Sequence, residues 1–554
     1  MKKSVILYIL FLLIGFSGDS ALQSLACNRS NEITFRNVRN EEDNYVHAKQ
    51  LSLDILHYDL EISLDIKNKK IDGRALITGI SKVTLLDTIV FNFYDNMAIS
   101  TLLMNNNEQR YTRSDNKIFI PCAITEKDTF RISIVYSGTP LMEDYTSFVF
   151  GEINEIPLVY SINEPISASR WFPSNDIPTD KVLLDMRITA DSNLVSISNG
   201  KLISVNSSND KKTYYWKTIY PISTYLISLN TSKYAHFEDT YTGLLNQKMD
   251  IHYFPVINHL EEAKTDWEDH PQMIKVFAEL FGEYPFIEEK YGVTEFLWMS
   301  GAMEHQTITS VGYNLSTGRK YFNDILIHEL AHQWWGNAVG PATWKDIWLN
   351  EGFATYSEAL YDEALYGKGG LSGAMNRFYS IYFNGTLYNP EELFSKTVYD
   401  KGAWVLHMLR NEIGENTFFA LLRNYFETYK YKNASTNDFK ALAEKMSGKD
   451  LTKFFDQWVF TGEGIPMIEY GKVLKKEKNK LYLDLELRQI QEQSIVYDIP
   501  IRIKIYYKNN SDEIIKLRLN KREELFRIEL KDEIEQIAFD PDTHILASFI
   551  QKEE

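Results

Sequence analysis

Ile325-Leu326-Ile327-His328-Glu329-Leu330-Ala331-His332 sets apolar residues and two histidines at the spacing of a buried helix. Asp324 is a candidate cap, so a helix is predicted over 325–335. Residues four apart lie one turn above each other, so both imidazoles leave one face with Cβ atoms about 5–6 Å apart. That separation suits two neighbouring corners of a zinc tetrahedron. Glu329 falls on the adjoining edge, where it reaches a water at the metal without taking a coordination position. With 11 His in 554 residues, His-Glu-x-x-His arises by chance on the order of once in fifty such chains.

A catalytic zinc takes three protein ligands and keeps one open position. The third candidate is Glu351 in Trp348-Leu349-Asn350-Glu351-Gly352-Phe353-Ala354, with eighteen residues between it and His332. Gly336-Asn337 and Gly340-Pro341 break the first helix and let a second one turn back, so that Glu351 faces the histidine pair. One zinc ion per chain is expected.

Outward from this centre the periodicity changes. From about 51 to 229 short strands alternate, as in Tyr58, Leu60, Ile62 and Leu64 against Asp59, Glu61 and Ser63. Helical spacing prevails from about 250 to 460, including 436–446. Beyond the turn at 462–466, alternation returns at Leu481, Leu483, Leu485 and Leu487, then at Ile499, Ile501, Ile503 and Ile505. A multidomain α+β chain is expected: an N-terminal all-β domain (44–240), a mostly helical catalytic domain (241–462) and a small C-terminal β-sandwich (467–550).

The net charge of -17 repels phosphate backbones and anionic lipid, which argues against nucleic acid or a peripheral membrane surface as partner. Lys2 and Lys3 precede an apolar run over 5–16, too short to span a bilayer and arranged like an export signal, assigned to 1–26. The mature chain is therefore expected outside the cytoplasm: periplasmic, in the cell envelope or secreted. Leu25-Ala26-Cys27 also resembles a lipoprotein processing site, so Cys27 either carries a lipid anchor or pairs with Cys122, the only other cysteine. Acceptor triplets stand at Asn206, Asn230, Asn384 and Asn433.

His328-Glu329-Leu330-Ala331-His332-Gln333-Trp334-Trp335-Gly336-Asn337 followed by Trp348-Leu349-Asn350-Glu351-Gly352-Phe353-Ala354 resembles the metallo-aminopeptidase family of aminopeptidase N and leukotriene hydrolase. The resemblance implies a thermolysin-like catalytic domain and hydrolysis of the N-terminal peptide bond by metal-activated water, with Glu329 as general base and acid. Gly301-Ala302-Met303-Glu304-His305 resembles the family segment whose glutamate holds the substrate's free α-amino group, with His305 in place of the family's Asn. This assigns Gly301, Ala302, Met303 and Glu304 to substrate binding. Tyr399, in Tyr399-Asp400-Lys401-Gly402, resembles the family's oxyanion-stabilising tyrosine, and Glu164 resembles its second acidic contact to the amine. Peptides with a free N-terminus are the implied partners. Longer members carry a C-terminal helical domain over the cavity, so a more open site is expected here. Rival readings are a zinc endopeptidase and an exported, catalytically silent peptide-binding protein.

Softer candidates surround these. Glu358, seven residues after Glu351, either touches a ligating histidine or is solvated, and solvation is the commoner fate of such a residue. Trp334 and Trp335 read as core. His305 either meets substrate or takes a hydrogen-bonded structural place.

Overall fold

The computed structural model describes residues 45–143, 146–298, 301–478 and 480–552. The predicted export signal at 1–26 and Cys27, with its lipid or disulfide, lie outside them. Among the described residues no helix is long and apolar enough to cross a membrane.

Tyr58, Leu60, Ile62 and Leu64 are buried on one side of strand Leu53–Asp65, and Asp59, Glu61 and Ser63 are half-buried on the other. This strand is central to an eight-stranded sheet, antiparallel to Lys70–Ser81 and parallel to Leu183–Asp191. Sheets of five and three strands complete the first β region. In the five-stranded sheet, Ile156–Ile162 pairs with Thr146–Ile153 and delivers the chain to Glu164, which enters a cis peptide bond with Pro165.

The middle region opens on a sheet that the sequence did not foretell. Its order is Phe237–Thr242, Lys248–Phe254, Tyr291–Phe296, Thr309–Gly312, Ala302–Met303. Every residue of Tyr291–Phe296 is buried, so no alternation marks it, and Ala302–Met303 has only two residues.

Helices follow. The helix carrying the histidines runs Asn323–Ala331, shorter than the predicted 325–335, because Gln333 and Trp334 turn back onto Leu330 and Ala331 carbonyls. Phe322, not Asp324, holds the N-cap position, and Asp324 lies in the first turn. Gly336 then reverses the chain at φ 113°, where a side chain would stand 3.1 Å from Asn350. A long helix, Trp348–Arg377, interrupted at Gly367, carries Glu351. Helix Thr436–Ser447 starts at a capping box made by Ser435 and Asp438. Trp334 and Trp335 are fully buried, packed edge-on against Phe281.

The C-terminal residues form sheets of four and three strands. Leu483, Leu485, Leu487, Ile499, Ile501, Ile503 and Ile505 are buried in them, and Leu481 is half-buried. Two predicted glycan acceptors are engaged inside the fold: Asn230 is fully buried with its amide on Ser228, and Asn433 donates to the Pro178 and Pro341 carbonyls.

The long helix crosses helix Gly402–Ile413 at two glycines. A Cβ on Gly352 would lie 2.9 Å from Gly402 Cα, and one on Gly402 would lie 2.8 Å from Gly352 Cα. Gly402→Val should force this crossing apart, at the roughly 1–3 kcal/mol typical of overpacking. Thermal unfolding followed by circular dichroism should show a lower midpoint.

Candidate active site

Both histidines project from one helix edge with ring centroids 4.7 Å apart. Their Nε2 atoms are 3.0 Å apart, and each is 3.3 Å from Glu351 Oε2. A zinc ion with bonds of about 2.0–2.1 Å sets tetrahedral ligand atoms about 3.3 Å from each other. The near-equilateral triangle of His328, His332 and Glu351 therefore fits that ion. All three side chains are buried.

The inward aim of both Nε2 atoms has a cause on the far side of each ring. His332 Nδ1 donates to the Trp335 carbonyl at 2.9 Å. His328 Nδ1 meets Glu358 Oε1 at 2.7 Å. Glu358 is buried, so the expectation of solvation is corrected: seven residues is two helical turns, which returns it to the face of Glu351. Such a partner fixes the tautomer that leaves Nε2 with a lone pair.

Glu304 reaches the site from the edge strand Ala302–Met303, and the histidine segment holds it there. Asn337 Nδ2 donates to the Glu304 carbonyl at 2.6 Å. Gln333 Nε2 donates to the Glu304 and His305 carbonyls, and its Oε1 accepts from Thr307 N. The sequence marks Asn337 only as part of a helix break and gives Gln333 no role of its own; the available signal is two amides in an otherwise apolar stretch. His305 turns away from the cavity, buried on Ser310 Oγ, and burial pushes its pKa down to about 3.

Glu164, Glu304 and Glu351 place carboxylate oxygens within 4.8 Å of one another, and carboxylate oxygens of Glu304 and Glu329 lie within the same distance of each other and of a His332 ring nitrogen. Glu164 Oε1, Glu304 Oε1 and Glu329 Oε2 are buried with no hydrogen-bond partner. Burial, and then the charges of Glu304, Glu351 and Glu329, push the Glu164 carboxyl well above the carboxylate range. Burial likewise raises Glu304, and brings Glu329 to about 7 against the pull of His328. For Glu351, burial is outweighed by the two imidazoles, which hold it near 2.

Tyr399 arrives in the π-turn Thr397–Lys401 just before the glycine crossing, its ring stacked on His328 at 5.7 Å. Lys401 anchors that turn by donating to the Gly462 carbonyl at 2.6 Å. Gly301, Ala302, Met303 and Tyr399 line one cavity with the three candidate ligands, Glu329, Glu304 and Glu164. Its volume of about 1680 Å³ exceeds the roughly 300–1,000 Å³ of ordinary small-molecule pockets.

Fold and site together define a β domain set against a helical region built around a two-His, one-Glu metal centre. Residues 55–226 match the Peptidase M1 N-terminal domain and residues 266–458 the Peptidase family M1 domain. The chain belongs to peptidase family M1. It is 25% identical over 480 residues to "Probable aminopeptidase 2" of Sulfurisphaera tokodaii, covering 81% of this chain and 58% of that protein. To "Aminopeptidase N" of Lactococcus lactis it is 26% identical, over 73% of this chain and 50% of the other. The chain spans about half the length of the curated relatives it matches. The M1 zinc metallopeptidase of Deinococcus radiodurans superposes with TM-score 0.67 at 25% identity, over 75% of this chain and 95% of that one. Legionella pneumophila aminopeptidase A shares the fold, with TM-score 0.78 at 19% identity over 91% of this chain and 60% of that one.

Glu358→Gln should keep the fold but loosen the His328 ring, lowering zinc affinity about 10- to 100-fold. Competition with a chromophoric chelator measures this directly.

Proposed function

We propose that the protein is a zinc-dependent aminopeptidase that hydrolyses the first peptide bond of peptides with a free N-terminus. The observation that carries this reading is the set of three buried, unpartnered carboxylate oxygens beside the donor triangle. Buried acceptors of this kind are costly unless a donor or cation meets them. A substrate ammonium is a cation with three donors, which an unblocked N-terminus supplies beside its first peptide bond and a blocked one does not.

His328, His332 and Glu351 would hold the zinc, which supplies Lewis acidity to polarise a carbonyl and acidify a water. Glu304 and Glu164 bind the ammonium and fix the register, so that only the first peptide bond reaches the reacting groups. Glu329 takes the proton of the attacking water and returns it to the leaving amine. Its pKa near 7 suits both transfers at neutral pH. The Tyr399 hydroxyl donates to the carbonyl oxygen as charge grows there, a contribution of about 2.7–4 kcal/mol for a preorganised donor. The remainder of the peptide lies in the wide cavity. A mutant of the Deinococcus radiodurans enzyme has been solved with a Tyr-Ser-Ala substrate, which supports a peptide occupant here.

Aminoacyl amides should be hydrolysed by the zinc-loaded protein, lost with chelator and regained with zinc. Glu329→Gln should cut kcat about 10²- to 10⁴-fold. N-acetylated peptides should resist cleavage, and full activity on them would rule out the exopeptidase reading.

Glu304→Ala separates this reading from an endopeptidase, which has no use for an ammonium anchor. On free-amine substrates KM should rise and kcat fall together; unchanged kinetics would favour the endopeptidase. A comparison in which Glu329→Gln left turnover intact would favour the silent peptide-binding protein.

A further inference from the structure

At the far edge of the five-stranded middle sheet, opposite Ala302–Met303, a second group of ligand-type side chains lies outside the peptide cavity. His236 immediately precedes strand Phe237–Thr242, Glu238 is its second residue, and His252 is directly across from Glu238 in the antiparallel partner Lys248–Phe254. Residues two apart on a strand share a face, and directly opposed residues share it too. The register therefore gathers all three on the outer face, with Met249, Ile251 and Tyr253 buried on the inner one.

We propose that His236, Glu238 and His252 form a second site for a divalent transition-metal ion of the zinc or nickel type. His236 Nε2 and His252 Nδ1 are 3.1 Å apart, and His252 Nδ1 is 3.7 Å from Glu238 Oε2. Both values sit near the roughly 3.3 Å edge of a zinc tetrahedron, and the remaining position is open to water. Two imidazole nitrogens facing each other at this distance either share one proton or turn both lone pairs toward one point, where a metal ion accepts both. Phe254, across from His236, stacks on its ring at 4.8 Å and holds its orientation.

The donor set repeats that of His328, His332 and Glu351, with one difference. The outer site is solvent-exposed and lacks a carboxylate such as Glu358 behind its rings, so it fills at higher metal concentration. Occupied, it adds a metal tie between the edge strand Phe237–Thr242 and its neighbour to the main-chain ladder and the ring contacts already there.

Equilibrium dialysis of the full chain against zinc chloride, with metal counted by elemental analysis, tests this. Two ions per chain are expected for the wild type at high zinc, and one for His236→Gln and for His252→Ala. Glu238→Gln should weaken the second ion tenfold or more. Glu351→Ala should lose the tighter ion and keep the weaker one, whose binding should still raise the thermal midpoint. Aminoacyl-amide turnover of His236→Gln should match wild type. Equal zinc stoichiometry in wild type, His236→Gln and His252→Ala would overturn the proposal, as would a folded Glu351→Ala protein that binds no ion. Neither result bears on the aminopeptidase reading, which turnover alone decides.

Discussion

Five carboxylates, from Glu164, Glu304, Glu329, Glu351 and Glu358, converge on two imidazoles in the interior. Like charges this close, withdrawn from water, repel more strongly than they would at the surface. On the reading proposed above, two positive species would relieve the repulsion, a divalent ion at the triangle of His328, His332 and Glu351 and an ammonium between Glu164 and Glu304. The surrounding construction follows from that demand. Hydrogen bonds from Asn337 and Gln333 fix one carboxylate's backbone, Glu358 and the Trp335 carbonyl aim the rings, and a glycine crossing brings in Tyr399.

Part of this arrangement was legible before any coordinates. The alternation at Tyr58 to Leu64 and at Ile499 to Ile505 becomes buried strand faces, because in each case one face meets core and the other meets water. The two histidines and Glu351 were readable because helical spacing and metal chemistry together leave few alternatives. Glu304, Tyr399 and Glu164 came from family resemblance alone. Spacing says nothing of them, since they arrive from an edge strand, a π-turn and the first β region.

What escaped the sequence did so for physical reasons. Tyr291–Phe296 is buried on both faces, so alternation vanishes where the middle sheet is deepest. Glu358 is chemically indistinguishable from a solvated helix glutamate until a histidine is placed against it. The apolar spacing predicts a helix to 335, yet it ends at Ala331, because Gly336 and amides that bind a neighbouring strand impose a turn. The outer histidine pair is likewise invisible without strand register.

The clamp between the histidine segment and the Glu304 carbonyl carries a further meaning. Because Asn337 and Gln333 belong to the same short segment as both histidines, the interval from the histidine pair to Glu304 is set by side-chain amides bonded to main-chain carbonyls and not by a hinge between domains. On the proposed aminopeptidase reading, this makes a fixed gauge whose span is one amino-acid residue. On that reading, side chains of the peptide would vary in bulk around the gauge, yet the count from the end of the chain would not drift.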